Sequence, residues 1–347
     1  MIAIVYHGKD DIRVDNVPIP KIGEDEALMK VQAAFICGTD IKIKNFGHFK
    51  NPKDKKRILG HELAGDIVDL GSKVKSLRKG MRVSIAPNIG CGHCNQCVTG
   101  NTNLCEDYEA FGITMDGAFA EFMKIPYRYI AQGNIFKLPD SISYEEAAIA
   151  EPLATVFNAS EIIRIKPPDI VLIIGAGPMG ILNLLMAKTR GAQFVIVSEL
   201  IEERRKQAEK FGADVSINPK NKDFKKILSR LSYGRGPDVI IIAAPSPKAQ
   251  EESFDLIARC GRICFFGGLP KGKESIKLKS NILHYKQILV TGTTGSSLIQ
   301  YRKSLELIIS KKIDVSNLIT AKYSLKDAKK AFKSAESEKN LKVLFRN

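Results

Sequence analysis

The amino-acid sequence predicts an α/β protein that joins a β-rich domain to a doubly wound parallel sheet. From Ile170 onward, buried apolar runs alternate with amphipathic stretches, which is the order of strands and helices in a doubly wound sheet. Before that point, short apolar runs separated by turn residues fill residues 1–35, 64–83 and 108–130, as is typical of β-strands. A length of 347 residues also favours two domains, because one core seldom grows that large.

The order of these elements predicts that the first domain is built from both ends of the chain. We expect the β-rich domain over residues 1–152, the doubly wound domain over 153–294 and a return over 295–347. Near the boundary, Ser143 and Glu146 have capping-box spacing, and Glu151 with Pro152 is expected to interrupt the helix that they start. The elements expected in the returning segment are a helix at Leu298–Ser310, a strand at Ile319–Tyr323, a helix at Lys326–Ser337 and a strand in KVLFRN.

A glycine-rich turn follows the first strand of the alternating region. The run VLIIGAGPMG places Gly175, Gly177 and Gly180 in G-x-G-x-x-G spacing, directly before an amphipathic helix. The first glycine permits the tight turn, the second lets a pyrophosphate approach the backbone, and the third lets helix and strand pack closely. The helix N-terminus, where Pro178 and Met179 lie, then faces the phosphates. This pattern predicts a dinucleotide site, and the alternative is a tight turn without a ligand.

The second strand of that unit predicts which dinucleotide binds. It ends at Glu199, whose carboxylate can accept hydrogen bonds from an adenosine ribose. Because a carboxylate repels the 2′-phosphate of NADP, the sequence favours NAD. Arg204 and Arg205 follow closely and keep NADP open, and Arg204 is counted among the predicted cofactor contacts. Gly267 and Gly268, after the apolar run RICFF, are expected to line the nicotinamide side.

The composition is strongly basic, with 53 Lys and Arg against 38 Asp and Glu and a net charge of +15. These cations are scattered, with the densest group at Lys50–Arg57, and no aromatic-rich RNA-binding motif accompanies them. We therefore expect a solvated surface and no nucleic-acid partner, while an anionic substrate such as a sugar phosphate stays open. No apolar run approaches the length of a membrane span and no basic leader begins the chain, so we expect a cytoplasmic protein without a membrane partner.

Four of the seven cysteines fall in one short segment. They follow the pattern C-x2-C-x2-C-x7-C, which in a cytosolic protein indicates a metal rather than disulfides. Four thiolates complete a tetrahedral shell, so we predict a structural zinc; reduced cysteines or disulfides in a loop are the alternative. His93 lies inside the segment but is not needed as a ligand. The predicted ligands are Cys91, Cys94, Cys97 and Cys105.

A second set of metal-binding side chains is dispersed along the chain. Cys37 lies in CGTD, His61 and Glu62 lie in GHELAG, and Glu151 lies in EPLA. Separately they have ordinary interpretations, as a core cysteine, an interior histidine and a glutamate at a helix end. Together they offer sulfur, nitrogen and carboxylate donors, enough for a catalytic zinc that keeps a position for substrate. The two ligand sets therefore predict two zinc ions per chain.

These motifs resemble those of the zinc-dependent medium-chain dehydrogenase/reductase superfamily, and the resemblance covers essentially the whole chain. They are C-G-T-D at Cys37–Asp40, G-H-E-x-x-G at Gly60–Gly65, the four-cysteine lobe, E-P-L at Glu151–Leu153 and the glycine turn. The most similar branch is that of the polyol, or sorbitol-like, dehydrogenases, with the threonine dehydrogenases beside it. The resemblance implies a GroES-like catalytic domain, a Rossmann coenzyme domain, an active site in the cleft between them, and homodimers or homotetramers.

The resemblance also implies a role for each residue of the dispersed set. Cys37 and His61 would be zinc ligands. Glu62 would ligate the metal or exchange with water, and Glu151 would bind the metal or hold its water. A glutamate at this last position, where classical alcohol dehydrogenases have a cysteine, is typical of the polyol branch. The predicted catalytic residues are thus Glu62 and Glu151, together with Thr39.

The implied reaction is the NAD-linked oxidation of a secondary alcohol to a ketone by hydride transfer. Thr39 matches the hydroxyl that takes the proton of the substrate, but Lys42 stands where many relatives have a histidine that passes the proton on. We expect a polyol, sugar acid or sugar derivative as substrate. The chain lacks the arginine that sorbitol dehydrogenases place near its segment Thr291–Ser297, so sorbitol itself is not assured. L-threonine and simple secondary alcohols are the alternative substrates.

Overall fold

The structure is a computed structural model, and it describes residues 1–47 and 55–346. The chain divides into two compact units, one made of Met1–Ala154 with Ser296–Asn347 and the other of Thr155–Gly295. The first unit thus combines both chain ends, and the second is a continuous segment. Within the basic group at Lys50–Arg57, residues 50–54 lie outside the described residues.

The N-terminal part of the chain is mainly β structure, as its alternating pattern predicts. Its strands are β1 (Ile2–Gly8), β2 (Asp11–Asn16), β3 (Ala27–Phe35), β4 (Arg57–Ile58), β5 (Glu62–Leu70), β6 (Arg82–Ile85), β7 (Asn88–Ile89), β8 (Glu109–Ala110), β9 (Phe122–Ile125) and β10 (Ile135–Lys137). Its helices are α1 (Gly38–Phe46), α2 (Asn95–Val98), α3 (Tyr127–Ala131), α4 (Tyr144–Ala148) and α5 (Ala150–Ile162), the last of which continues into the second unit.

The second unit alternates strands and helices. The strands are β11 (Ile170–Ile174), β12 (Phe194–Ser198), β13 (Val215–Ile217), β14 (Val239–Ile242), β15 (Arg262–Phe265) and β16 (Leu289–Gly292). The helices are α6 (Pro178–Thr189), α7 (Glu202–Lys210), α8 (Phe224–Leu231), α9 (Pro247–Leu256) and α10 (Ser280–Lys286). The strands form one parallel sheet in the order β13-β12-β11-β14-β15-β16. This is the doubly wound Rossmann order, and it confirms the predicted fold class.

The returning segment contains the four elements expected there. They are α11 (Leu298–Ile309), β17 (Ile319–Tyr323), α12 (Ala328–Ala335) and β18 (Lys342–Arg346). The strands join the main sheet of the first unit, whose order is β10-β6-β5-β3-β18-β17, with β9 also paired to β3. The returning chain therefore places β18 directly beside β3, and β3 lies beside β5. None of the helices in the described part of the chain is long and apolar enough to cross a membrane.

Two local predictions need correction. The first concerns the helix near Glu151. Here α4 ends at Ala148 and α5 begins at Ala150, so Glu151 and Pro152 lie in the first turn of a new helix. Proline is tolerated there because a first-turn N–H has no partner within the helix. The second concerns Tyr127–Ala131, which is the short helix α3 and not a strand.

The capping box at the start of α4 is confirmed. The backbone amide of Glu146 donates to Ser143 Oγ at 3.2 Å, and the backbone amide of Ser143 donates to Glu146 Oε2 at 3.0 Å. Each side chain therefore satisfies a backbone donor that the helix itself leaves unpaired.

Candidate functional site

The glycine turn lies at the carboxyl end of β11 and leads into α6. Gly175 has a φ of +103°, a conformation that residues with a side chain rarely adopt. A Cβ on Gly180 would lie 1.9 Å from the carbonyl oxygen of Gly175, so only glycine allows helix and strand to pack this closely. A Cβ on Gly177 would meet nothing within 4 Å. The open space at Gly177 borders the N-terminus of α6, where Pro178 is the first residue and Met179 the second.

Glu199 follows β12, and its carboxylate turns back onto the glycine turn. Oε2 accepts a hydrogen bond from the Ala176 amide at 2.8 Å, and Oε1 accepts one from the Ile201 amide at 3.0 Å. The residue is only 9% exposed. Each carboxylate oxygen has a second lone pair, so two backbone bonds leave acceptor capacity for ribose hydroxyls.

Two arginines and two glycines complete the set of predicted cofactor residues. Arg205 is folded back on the chain, with Nη1 donating to the carbonyl oxygen of Glu199 at 2.8 Å. Arg204 precedes it on α7 and is half-buried. The Gly267 amide donates a hydrogen bond to the carbonyl oxygen of Ile242 in β14. A Cβ on Gly268 would meet nothing within 4 Å.

The four clustered cysteines converge on one point. Their sulfur atoms all lie within 4.8 Å of one another. Backbone amides also point at the sulfurs: Cys94 N lies 3.3 Å from Cys91 Sγ, and Cys91 N lies 3.3 Å from Cys105 Sγ. Cys97 completes the group, whereas His93 is exposed, with Nδ1 3.2 Å from the carbonyl oxygen of Cys91. This is the arrangement of a closed four-sulfur metal site.

The thiols of this lobe differ in how readily they ionise. Backbone amides of His93 and Cys94 lower the pKa of the Cys91 thiol to about 6. Burial, together with the adjacent sulfurs, raises the pKa of the Cys97 thiol to about 12. Four thiolates this close repel one another, so only a bound metal ion can hold all four ionised. All seven cysteines of the chain lie in the described residues, and none is in a disulfide.

Three residues of the dispersed set come together at the ends of two neighbouring strands. Cys37 follows β3, and His61 and Glu62 lie at the start of β5, which pairs antiparallel with β3. One ligand atom from each lies within 4.8 Å of the other two. His61 is 5% exposed and Glu62 is fully buried.

A buried aspartate organises this set. Asp40 Oδ2 accepts a hydrogen bond from the Cys37 amide at 2.8 Å, and Oδ1 accepts one from the Gly60 amide at 3.2 Å. Oδ1 also lies 3.5 Å from His61 Nδ1. Burial lowers the pKa of His61, but the charges of Asp40 and Cys37 outweigh it and raise that pKa well above its usual value. Sequence reasoning gave Asp40 no role, although its place three residues after Cys37 at a helix start indicates a capping acceptor.

Glu151, Thr39 and Lys42 are the remaining residues predicted for this site. Among the described residues, Glu151 is not part of the group whose ligand atoms lie within 4.8 Å. Burial raises the pKa of the Glu151 carboxyl to about 7, with the charge of His61 opposing the change and that of Glu62 adding to it. Thr39 is half-buried on the first turn of α1, and Lys42 is exposed on the same helix.

A buried lysine, which sequence reasoning missed, belongs to the same polar region. Lys342 is 3% exposed, and its Nζ lies 2.7 Å from Glu62 Oε1 and 2.5 Å from Oε2. The two residues are separated by 280 positions, and no local motif marks a lone lysine at the start of a strand. The one sequence signal for a buried lysine is that Lys342 begins the strongly apolar run KVLF.

The donor chemistry of these sites fits the predicted zinc ions and dinucleotide. Thiol, imidazole and carboxylate are the side chains that zinc prefers, and the buried Nδ1 of His61 has no hydrogen-bond partner among the described residues. The four-sulfur lobe suits a structural zinc, since it supplies a complete tetrahedral shell. The open space at Gly177, before the helix N-terminus, suits a pyrophosphate.

Comparison with known proteins agrees with this geometry. The alcohol dehydrogenase GroES-like domain model matches residues 23–140, and the zinc-binding dehydrogenase model matches residues 178–310. Together the two models cover more than half of the chain. The chain belongs to the zinc-dependent medium-chain dehydrogenase family. It is therefore an oxidoreductase that acts on CH–OH groups of small molecules, with a GroES-like domain and a nicotinamide-dinucleotide-binding Rossmann domain.

Three relatives illustrate the breadth of this dehydrogenase family. Sorbitol dehydrogenase of Bacillus subtilis (strain 168) is 34% identical, covering 99% of this chain and 96% of the relative. L-threonine 3-dehydrogenase of Pyrococcus furiosus is 36% identical, covering 99% of this chain and 98% of the relative. A protein described as a zinc-binding dehydrogenase from Sinorhizobium meliloti 1021, solved with NADP bound, has a TM-score of 0.91 at 30% identity, covering 100% of this chain and 99% of that one. The resemblance read from the motifs is thus confirmed at the family level.

Proposed function

We propose that this dehydrogenase oxidises a secondary alcohol of a polyol, sugar acid or sugar derivative to a ketone, with NAD as the hydride acceptor. The observation that carries the proposal is a pair of buried carboxylates: Glu62, grouped with the Cys37 and His61 donors, and Glu151, whose carboxyl feels the charges of His61 and Glu62. Carboxylates can accept hydrogen bonds from vicinal hydroxyl groups, and a site built to pair such groups rejects analogues that lack them.

In this proposal Cys37, His61 and Glu62 hold the catalytic zinc, and Glu151 binds the metal or holds its water. The four-cysteine lobe holds the structural zinc. When bound, the catalytic zinc supplies a Lewis acid that lowers the pKa of an alcohol, and the dinucleotide accepts the hydride. Glu199 receives the ribose hydroxyls, while Arg204 lies on the following helix. The glycine turn receives the pyrophosphate.

The proton of the alcohol passes to the protein at Thr39. Its hydroxyl Oγ1 can accept one proton and donate another, as a relay requires. Asp40 accepts hydrogen bonds from the Cys37 and Gly60 amides, so the start of α1, which carries Thr39, and the segment before β5 share one support. Lys42 is exposed, so we infer that the proton leaving Thr39 reaches solvent without a histidine.

L-threonine is the rival substrate, because the Pyrococcus furiosus relative is as similar to this chain as the sorbitol dehydrogenase is. The deciding experiment is a comparison of kcat/KM with NAD for polyols, sugar acids, L-threonine and 2-butanol. We expect kcat/KM for a polyol or sugar acid to exceed the values for L-threonine and 2-butanol by about tenfold or more, because a site that pairs substrate hydroxyls rejects analogues that lack them. A kcat/KM that is about tenfold higher for L-threonine or 2-butanol would contradict the proposal.

We further propose that two copies of the chain associate through β16, as part of a homodimer or homotetramer. This strand is at one end of the six-stranded sheet, so its outer backbone edge has no partner among the described residues. Leu289 is 68% exposed, Val290 38% and Tyr285 of the adjoining α10 71%. An unprotected apolar edge strand pairs readily with a second strand, and a twofold axis brings identical edges together.

Light scattering on the purified protein tests this interface. Replacing Leu289 and Val290 by Lys should lower the molar mass toward that of one chain, because charged residues block edge pairing. Ile299→Lys is the matched control, since Ile299 is 59% exposed but lies on α11. An unchanged mass in the strand variant would exclude β16 as the interface.

A further inference from the structure

The ion pair between Lys342 and Glu62 is unusual in being wholly buried. The carboxylate is 0% exposed and the lysine 3%, and the ammonium also lies 5.5 Å from the centre of the Phe35 ring. Removing two charges from water costs about as much as their attraction returns, so such a pair contributes little to stability. Its position beside the donor set therefore points to a role in the site.

The pair shares its carboxylate with the metal-binding residues. A Glu62 oxygen lies within 4.8 Å of the Cys37 sulfur and of a His61 ring nitrogen, and both carboxylate oxygens contact Lys342 Nζ. The carboxylate is thus held between a cation of the protein and the place where a cation would bind. Both cations would draw on the same lone pairs, so a stronger hold by one weakens the hold of the other.

The sheet fixes this competition in place. Cys37 follows β3, Glu62 begins β5 and Lys342 begins β18, and these strands are neighbours in the order β5-β3-β18. Phe35 pairs with Glu62 on one side and with Leu344 on the other, and the Ile36 amide donates to the Val343 carbonyl at 3.0 Å. Cys37, Glu62 and Lys342 therefore lie at the ends of adjacent, hydrogen-bonded strands, which hold their backbones at fixed relative positions.

We propose that Lys342 is a positioning residue that restrains Glu62 from binding the catalytic zinc at full strength. The inference rests on the proposed function, since it assumes that zinc binds at Cys37, His61 and Glu62. With the carboxylate shared, Cys37, His61 and Glu62 would hold the metal without closing its shell, and the site would keep room for the substrate.

The test uses four variants of the full-length enzyme and a spectroscopic readout. Lys342→Met removes the charge at similar length, Lys342→Arg keeps it, Glu62→Gln removes the competing charge, and the fourth variant combines Lys342→Met with Glu62→Gln. Cobalt(II) replaces zinc at the catalytic site, because its visible absorption reports the number and type of ligands. Lys322→Met is the control, since Lys322 is a half-exposed lysine on the neighbouring strand β17.

We expect Lys342→Met to change the cobalt spectrum and to lower kcat/KM by about tenfold or more, as losses of supporting residues around a metal do. Lys342→Arg should recover most of both properties. In the Glu62→Gln background, adding Lys342→Met should change kcat/KM by less than about twofold, because the lysine acts through that carboxylate. An unchanged cobalt spectrum in Lys342→Met, or an equal loss in both backgrounds, would overturn the inference.

Two further measurements keep the outcome clear. If Lys342→Met alone does not fold because Glu62 is left unpaired, the combined variant, which lacks both charges of the pair, is compared with Glu62→Gln. A loss of kcat/KM beyond about twofold in that comparison overturns the inference. Metal analysis of the wild-type enzyme separates this inference from its premise. Absence of metal at Cys37 and His61 would defeat the proposed function, whereas bound metal with an unchanged Lys342→Met spectrum defeats the positioning role alone.

Discussion

The carboxylate of Glu199 accepts a hydrogen bond from the backbone amide of Ala176, 2.8 Å away, and so ties the end of β12 to the glycine turn after β11. The residue proposed to recognise the ribose therefore also supports the turn proposed to hold the pyrophosphate. Any change at Glu199 acts on both halves of the dinucleotide site, and the variants must be chosen to separate the two effects.

Glu199→Gln should raise KM for NAD. The preference for NAD over NADP, measured as a ratio of kcat/KM, should fall by about ten- to a hundredfold, which is the usual contribution of hydrogen bonds to a charged group. The amide oxygen of Gln can still accept from Ala176, so the turn is largely kept. Glu199→Ala removes both interactions and should lower thermal stability as well. The measurement is kcat/KM with each dinucleotide, and a wild-type preference for NADP would show the assignment to be wrong.

Gly177 and Gly180 provide a matched pair of alanine substitutions. Gly180→Ala should reduce the free energy of unfolding by about 2 kcal/mol or more, because its Cβ would lie 1.9 Å from a backbone oxygen. Gly177 has a φ of −70° and open space where a Cβ would lie, so Gly177→Ala should change the free energy of unfolding by less than about 1 kcal/mol. Its KM for NAD should still rise about tenfold, because the methyl group enters the space for the pyrophosphate. Equal effects of both variants on stability would contradict this division.

The four-cysteine lobe should depend on its metal. Cys94→Ser should lose one zinc per chain and about 3 kcal/mol or more of stability, because metal binding and folding of such a site are linked. Metal analysis and thermal unfolding are the measurements. Cys260→Ser is the control, since Cys260 is exposed and lies outside the lobe. A Cys94→Ser protein with full zinc content would rule out the structural site.

Cys37→Ser should reduce kcat by about a hundredfold or more while the protein remains folded, because a weaker ligand leaves the Lewis acid poorly held. Zinc at the four-cysteine lobe should be retained, so the metal content should fall by one ion per chain. Circular dichroism checks the fold and a steady-state assay checks the activity. Undiminished turnover would remove Cys37 from the catalytic set.

Glu151 should make the stability of the zinc-free protein depend on pH. Burial raises its pKa from the ordinary 4.5 to about 7 in the folded chain, so between these values the folded state holds a proton that the unfolded state has lost. This contribution favours folding at low pH and is lost as pH rises from about 4.5 to 7. Denaturant unfolding of zinc-free wild type and Glu151→Gln across this range should show a steeper decline in the wild type. Parallel curves would indicate an unshifted carboxyl.

Much of the fold was predictable because its signals are local. The apolar runs from VLIIGAG to ILVTG correspond to the strands β11–β16, and helices between them follow from amphipathic spacing. The Ser143 capping box and the four-cysteine spacing also lie within short segments, where backbone geometry alone brings the side chains together. The helix start at Ala150 was not predicted, since proline disrupts a helix interior but suits a first turn.

The sequence alone determined the fold class, the family and the types of donor atom available, because these follow from periodicity and from motifs that are contiguous in the chain. Only the tertiary structure decided which of the dispersed donors meet. Pairing of β3 with β5 brings Cys37 to His61 and Glu62, while Glu151 remains outside that group in the described residues. Pairing of β3 with β18 delivers Lys342 to Glu62 across 280 positions. Strand register sets these contacts, and register depends on the packing of the whole sheet, which no local pattern encodes.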